Sequence, residues 1–179
     1  MQSIEIREYQ LYLFDLDDTL TKPVLGKTFP QTAGDRALAL RRKERLEDLH
    51  KQDKKMAVIT NQGGAAWGFL DMAEMNAWLD SFCETFAIDA FFVCYRDTGE
   101  KAKASDKTIK ALTVPEYYKE WDRRKPGPGM LIEAMDHFGI DRHDTIMIGD
   151  RQEDKDAAEN CGCDFIFAWD YFKDGPIIV

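Results

Sequence analysis

Two aspartates, one residue apart, follow a short apolar segment near the start of the chain. The segment from Tyr9 to Phe14 is rich in aromatic and large aliphatic side chains, which is typical of a buried strand. Asp15 and Asp17 come next, and Thr19 suits a turn after the acidic run. Because side chains two residues apart face the same side of a strand, we expect the two carboxylates to converge where the strand ends.

Two carboxylates held close together need a cation between them, or one of them must keep its proton. Mg²⁺ meets that need, since it binds carboxylate and carbonyl oxygens together with substrate phosphate. One carboxylate could then attack phosphorus to form an aspartyl-phosphate while the second moves the proton. The alternative is that Asp17, Asp18 and Thr19 form an ordinary solvated turn, and this motif alone leaves both interpretations open.

Three further segments follow in a fixed order and favour the first interpretation. Residues 56–64 read MAVITNQGG, a short apolar strand that runs into a hydroxyl, an amide pair and two glycines. A Thr side chain and bare backbone N–H groups are what a phosphate oxygen needs. Residues 123–130 read RRKPGPGM and place cations just before a predicted helix. Residues 145–154 read TIMIGDRQED, a second buried strand that ends in Gly-Asp with another acid four residues later. This last segment would complete a metal site.

In this order and spacing, the segments DLDDT, ITNQGG, RKPGPGM and GDRQED resemble the haloacid dehalogenase (HAD) superfamily. The likeness is to its small phosphatases of the third subclass, which include histidinol-phosphate, heptose-bisphosphate and polynucleotide 3′-phosphatases. It runs from about Leu11 to Ala158. The resemblance implies an α/β, HAD-like (Rossmannoid) three-layer fold with a central, mainly parallel sheet and no large cap domain.

The resemblance also implies residue roles. Asp15 would be the nucleophile and Asp17 the general acid/base. Thr60, with the backbone after it, would bind the transferring phosphoryl group, and Lys125 would hold the phosphate and the nucleophile in register. Further contacts to substrate are expected from Asn61 and Arg124.

A magnesium site is implied in the same way. Mg²⁺ would be bound by a carboxylate oxygen of Asp15, the main-chain carbonyl of Asp17 and a carboxylate oxygen of Asp150. Asp154 would lie nearby or act through water. Asp18 stands where many relatives carry Gly, and an acid is a familiar variant there.

Length and charge agree with an acidic globular enzyme. We expect one domain over residues 1–179. The net charge of −9 argues against a protein that coats nucleic acid non-specifically. No run approaches the roughly 20 apolar residues of a membrane span, so we expect no membrane association and a cytoplasmic location. The remaining elements are predicted as helices at about Asp35–Gln52, Asp71–Phe86, Pro128–Gly139 and Asp154–Asn160, and strands at Ala90–Tyr95 and Asp164–Ala168.

The cysteines argue against a zinc site. The histidinol-phosphate and heptose-bisphosphate phosphatases carry a Cys/His zinc loop between the second and third motifs. Here Cys94 is followed by Tyr95 and Arg96, and nothing from there to Arg123 is Cys or His. We therefore expect no zinc site, which disfavours those two substrates.

Two stretches, Thr21 to Gly34 and Arg96 to Trp121, should set the substrate. Residues 96–125 hold nine basic and six acidic residues together with Tyr117, Tyr118 and Trp121. The loop 96–121 could hold a nucleic-acid strand, or it could be a solvated loop whose aromatics pack locally. Residues 26–30, followed by Asp35 and Arg36, resemble the same region of polynucleotide kinase-phosphatases.

The sequence thus favours a polynucleotide 3′-phosphate end as substrate over a small sugar or nucleotide phosphate ester. A phosphotransferase and a non-catalytic binding module are the remaining alternatives.

Overall fold

Apolar residues occupy consecutive positions in the strands at the centre of the molecule, because these strands are covered on both faces. The computed structural model describes residues 7–96 and 123–173. Its strands are β1 (Leu11–Phe14), β2 (Thr21–Lys22), β3 (Ala37–Leu38), β4 (Lys55–Asn61), β5 (Ala90–Cys94), β6 (Thr145–Gly149) and β7 (Asp164–Phe167). Its helices are α1 (Arg42–Lys51), α2 (Met72–Thr85), α3 (Gly129–Phe138), α4 (Gln152–Cys161) and α5 (Ala168–Tyr171), with 3₁₀ turns at Gly63–Ala65 and Arg142–Asp144.

Five strands form one sheet in the order β5, β4, β1, β6, β7, and every neighbouring pair is parallel. β1 lies in the middle, so its side chains enter two separate cores. Tyr12 and Phe14 face a core that includes residues of α1, α2 and α5. Leu11 and Leu13 face a second core that includes residues of α3 and α4. This arrangement confirms the predicted α/β fold of three layers around a parallel sheet.

Most predicted elements agree with the structure to within one or two residues. α2 begins where expected, since the side chain of Asp71 accepts a hydrogen bond from the backbone N–H of Glu74 at 2.9 Å. α3 lies between Pro128 and Gly139, and the glycine ends the helix with a φ of 65°. The helix and the strand near the end of the chain also form as predicted.

The helix predicted from Asp35 to Gln52 is wrong in its first part, because α1 begins only at Arg42. Asp35 does not cap a helix. Its Oδ1 accepts the backbone N–H groups of Val24 and Leu25 at 2.9 and 2.8 Å, and its Oδ2 accepts that of Gln31 at 2.9 Å. The two residues of β3 then pair antiparallel with β2. Asp35 therefore closes the base of the loop 23–34, which follows the first acidic motif.

Between β1 and α1, the structure shows this loop and a two-stranded sheet but no cap domain. The described ranges, 7–96 and 123–173, contain no helix that is long and apolar enough to cross a membrane. Apart from Arg96, the basic and aromatic loop 96–121 lies outside these ranges, so the prediction about its nucleic-acid contacts stays a prediction.

The anchoring role of Asp35 predicts a pH-dependent contribution to stability. Loss of solvent by itself raises the pKa of Asp35, but the N–H donors of Gln31, Leu25 and Val24 outweigh it and lower the pKa. A carboxyl group whose pKa is lowered by folding stabilises the protein above its unfolded pKa of about 3.9, and this stabilisation is lost as the pH falls through the folded value. We expect Asp35→Asn to lower the thermal midpoint at pH 7, by an amount that shrinks below about pH 4.

Thermal unfolding in steps from pH 7 to pH 3 measures this difference. Asp80→Asn is the matched control, because Asp80 is exposed on α2. An equal effect of the two variants, or a difference that persists unchanged to pH 3, would contradict the anchoring role.

Candidate active site

The chain turns sharply after β1 and places the first motif at the carboxyl edge of the sheet. The backbone N–H of Asp15 still bonds to the carbonyl of Ile148 in β6, at 2.9 Å. Leu20 and Thr21 then both donate to the carbonyl of Leu16, which closes the turn. Asp18 has a φ of 66°, in the left-handed region that Gly adopts most readily and Asp tolerates. Gly would therefore fit this position without strain.

Lys125 is the centre of the site and is only 2% exposed. Its ammonium donates three hydrogen bonds, to Asp15 Oδ1 at 2.6 Å, to Asp154 Oδ1 at 2.6 Å and to the carbonyl of Ile59 at 2.9 Å. Three donors are all that an ammonium carries, so the group is fully satisfied. Lys125, which was expected to hold the nucleophile in register, therefore contacts Asp15 directly.

The electrostatics of this cluster are dominated by burial and mutual charge. Burial by itself disfavours the charged form of Lys125, but the carboxylates of Asp15 and Asp154 outweigh it and raise the pKa of the ammonium. For Asp15, burial raises the pKa well above its usual range; Lys125 opposes this shift, while Asp154 and Asp150 add to it. One buried ammonium thus faces more negative charge than it can neutralise.

The negative charge that Lys125 leaves uncompensated fits a cation site. Carboxylate oxygens of Asp15, Asp150 and Asp154 all lie within 4.8 Å of one another. The pKa of Asp150 is raised by burial and by Asp154, although Arg151 opposes the shift. Hard oxygen donors carrying excess negative charge are what Mg²⁺ prefers, so these residues fit that ion.

The two carboxylates of Asp154 and Asp150 are held in different ways. Asp154 is 1% exposed, and its Oδ2 accepts the backbone N–H of Arg151 at 3.0 Å, which caps α4. With its other oxygen on Lys125, both of its oxygens have protein donors. Asp150 Oδ1 accepts the hydroxyl of Thr19 at 3.2 Å. Asp150 accepts fewer hydrogen bonds than Asp154, so its carboxylate is the more available of the two to bind a cation.

Asp17 does not share its partner with Asp15. Its carboxylate accepts hydrogen bonds from Arg36, at 2.7 and 3.1 Å, and from the side-chain amide of Gln62 at 2.9 Å. The sequence predicted that the two neighbouring acids need a cation between them, or that one of them keeps its proton. In the structure each acid also has a basic side chain of its own, Lys125 for Asp15 and Arg36 for Asp17.

The remaining predicted site residues lie around Lys125. Thr60 is buried at the end of β4, and its hydroxyl accepts a hydrogen bond from Gln62 at 2.9 Å. The side chain of Asn61 donates to the carbonyl of Lys125 at 3.0 Å and accepts a hydrogen bond from its backbone N–H at 3.1 Å. Arg124 donates to the carbonyl of Arg96 at 2.9 Å. In this structure Asn61 thus positions the lysine loop, and the substrate contacts expected of Asn61 and Arg124 stay predictions.

Sequence reasoning missed three residues of the site. Thr19 lies inside the first motif, and Gln62 lies two residues after Thr60, so the two-residue repeat of a strand could have placed it beside that hydroxyl. Arg36 is 19 residues from Asp17. No spacing rule connects two residues so far apart across a loop.

The fold and this site define the chain as a member of the HAD superfamily, in its subclass of small phosphatases. A family model described as polynucleotide kinase 3 phosphatase matches residues 10–171. The chain therefore belongs to that family. The resemblance seen in the four motifs is confirmed.

Curated relatives carry a different substrate in their names. The D-glycero-beta-D-manno-heptose-1,7-bisphosphate 7-phosphatase of Photorhabdus laumondii is 31% identical over 118 residues, covering 64% of this chain and 57% of that protein. The enzyme of the same name from Escherichia coli K12 is 30% identical over 116 residues, covering 63% and 56%. The chain thus spans little more than half the length of these relatives.

A solved structure shows the same fold. The D,D-heptose 1,7-bisphosphate phosphatase from B. bronchiseptica, complexed with magnesium and phosphate, superposes with a TM-score of 0.68 at 22% identity. The match covers 87% of this chain and 78% of that one.

Gly149 makes the tight packing of the site testable. A Cβ placed on this residue would overlap the side chain of Asp154, and no side chain can be added without moving that carboxylate. We expect Gly149→Ala to destabilise the protein by about 1–3 kcal/mol, as overpacking of a buried site does, and, on the function proposed below, to weaken phosphate release by displacing a partner of Lys125. Urea unfolding with a parallel activity assay measures both effects.

Gly34→Ala is the control, because a Cβ there meets nothing within 4 Å. If Gly149→Ala matched this control in both stability and activity, the site would be looser than the contacts indicate.

Proposed function

We propose that the protein is a Mg²⁺-dependent phosphomonoester hydrolase that acts through an aspartyl-phosphate on Asp15, with a small-molecule phosphate ester, such as a sugar phosphate, as substrate. The observation that carries this proposal is the buried contact of 2.6 Å between Lys125 and Asp15 at the carboxyl edge of the sheet. A lysine so placed can hold a carboxylate and a phosphoryl group together. Positioning and charge neutralisation are most of what phosphoryl transfer requires.

In the first half-reaction, a carboxylate oxygen of Asp15 attacks phosphorus and the bond from phosphorus to the leaving oxygen breaks. The protonated carboxyl of Asp17 gives its proton to that leaving oxygen, so an alcohol departs. Lys125 and Thr60 would bind the phosphoryl oxygens, with the ammonium exchanging one of its three protein hydrogen bonds for a phosphoryl oxygen. Mg²⁺ held by carboxylate oxygens of Asp15 and Asp150 and the main-chain carbonyl of Asp17 would neutralise charge on those oxygens.

In the second half-reaction, a water molecule attacks phosphorus and the bond between phosphorus and the Asp15 oxygen breaks. The carboxylate of Asp17 takes the proton from this water, which returns both aspartates to their starting states. Inorganic phosphate is the product. Asp154 would keep Lys125 charged and in place rather than contact substrate.

The choice of substrate class rests on the comparisons. The sequence alone favoured a polynucleotide 3′-phosphate, but the curated relatives support a small-molecule phosphatase better. The sugar need not be their heptose bisphosphate, because the chain lacks the Cys/His residues of the zinc loop. A polynucleotide 3′-phosphatase is the second candidate, supported by the family model that matches residues 10–171. The cytoplasmic location stays a prediction.

The proposed nucleophile gives a sharp test. We expect Asp15→Asn to lower kcat by about 1,000-fold or more, roughly 4 kcal/mol of barrier, because an amide cannot form the acyl-phosphate. Phosphate release from a generic ester with Mg²⁺ measures the loss, and EDTA should abolish wild-type activity until Mg²⁺ is restored.

Asp18→Asn is the matched control, since Asp18 adjoins the motif but pairs with Lys22 at 2.8 Å. It should keep most of the activity. Full activity of Asp15→Asn would exclude the phosphoaspartate mechanism.

A substrate panel separates the two candidates. We expect sugar phosphates to exceed a 3′-phosphorylated oligonucleotide in kcat/KM by at least about tenfold, or 1.4 kcal/mol of transition-state binding. Release of free phosphate with water as the sole acceptor would also distinguish a hydrolase from a phosphotransferase. Preference for the oligonucleotide would make the protein an end-processing enzyme, and the loop 96–121 would become the first place to look for nucleic-acid contacts.

A further inference from the structure

Arg36 binds the carboxylate of Asp17 through two parallel hydrogen bonds. Nε donates to Oδ1 at 2.7 Å and Nη2 donates to Oδ2 at 3.1 Å. This bidentate geometry fixes the plane of the carboxyl group as well as its position. A lysine, with a single rotating ammonium, could not reproduce it.

The guanidinium is itself immobilised. Nη1 donates to the carbonyls of Thr32 and Ala33, both at 3.0 Å, and Nη2 also donates to Gln62 Oε1 at 3.0 Å. Together with the two bonds to Asp17, these contacts use all five N–H groups of the side chain. The side chain is 3% exposed, and its Cζ lies 5.6 Å from the centre of the Trp78 ring.

Gln62 extends this network to the phosphate-binding side of the site. Its Nε2 donates to Asp17 Oδ2 and to the hydroxyl of Thr60, each at 2.9 Å, while its Oε1 accepts from Arg36. The acid that must face the leaving oxygen is thereby tied to the hydroxyl proposed to bind the phosphoryl group. A movement of one would move the other.

The backbone before Arg36 is fixed as well. Asp35 accepts three backbone N–H groups from the loop 23–34, so the arginine leaves the chain from an anchored point. A long side chain can hold a partner accurately only if its own base does not move.

We propose that Arg36 is a positioning residue that sets the orientation of the Asp17 carboxyl for proton transfer to the leaving oxygen, in register with Thr60 through Gln62. This inference rests on the phosphatase mechanism proposed above. Arg36 contacts no reacting atom and acts only through Asp17.

A misplaced acid has a distinctive kinetic signature. An alcohol leaving group needs a proton as the bond to phosphorus breaks, whereas p-nitrophenolate leaves without one. We expect Arg36→Met to lower kcat/KM for an alkyl phosphate, such as glycerol phosphate, by about 100-fold, the lower end for loss of an acid catalyst. For p-nitrophenyl phosphate, kcat/KM should fall by no more than a few fold.

The second half-reaction gives an independent readout. Because Asp17 must also take the proton from water, Arg36→Met should hydrolyse the phosphoenzyme slowly with either substrate. p-Nitrophenyl phosphate should then produce a rapid burst of about one equivalent of nitrophenol, followed by slow turnover. A purely structural loss would lower the burst amplitude and the rate together.

Matched variants separate positioning from a general effect of removing an arginine. Arg36→Lys keeps the charge and should show the same leaving-group dependence, and it carries the test if Arg36→Met does not fold. Arg45→Met removes a guanidinium that contacts Tyr171 on α5, and it should leave the ratio of the two substrates unchanged. Asp17→Asn should give the same pattern as Arg36→Met, and combining the two should add little.

The outcomes are distinguishable. An inactive wild-type protein would overturn the proposed function, and this inference with it. An active wild type whose Arg36 variants lose both substrates equally, lose neither, or gain activity would overturn the inference and leave the phosphatase mechanism intact. Only a loss selective for the alkyl phosphate supports the positioning role.

Discussion

The site depends on one buried ammonium. Lys125 donates hydrogen bonds to three parts of the fold: Asp15 directly after β1, the carbonyl of Ile59 in β4, and Asp154 in α4. A buried charge is tolerated only when its partners are close and its donors are satisfied, and here both conditions hold. Three elements that are distant in sequence must therefore meet within hydrogen-bond reach of one atom. The geometry of the proposed nucleophile follows from that requirement.

The two aspartates of the first motif have identical side chains but different surroundings. Asp15 lies among carboxylates and one lysine in a buried pocket, while Asp17 faces an arginine and an amide closer to solvent. The proposed roles of nucleophile and acid/base require different surroundings, since one side chain must form a bond to phosphorus and the other must exchange a proton. Although only one residue separates Asp15 from Asp17, their side chains bond to different basic partners, Lys125 and Arg36.

Much of the fold could be predicted from the sequence because its signals are local. Apolar runs located the central strands, Asp71 and Gly139 marked helix ends, and the order of the motifs placed the acids and Lys125 at one edge. The start of α1 could not be predicted, because the Asp35 side chain binds three N–H groups across a loop instead of capping a helix. Arg36 was missed for the same reason. Contacts that cross a loop leave no periodic pattern, whereas contacts within an element do.

Asp35 and Arg36 are adjacent in the chain, yet their side chains bind different parts of the molecule. Asp35 closes the loop 23–34 at its base, and Arg36 begins the part of the chain that holds the proposed acid. Substitutions or insertions at the tip of that loop, near the exposed Phe29, can thus accumulate without shifting the catalytic geometry. The loop can therefore vary in sequence while the reaction centre is inherited unchanged.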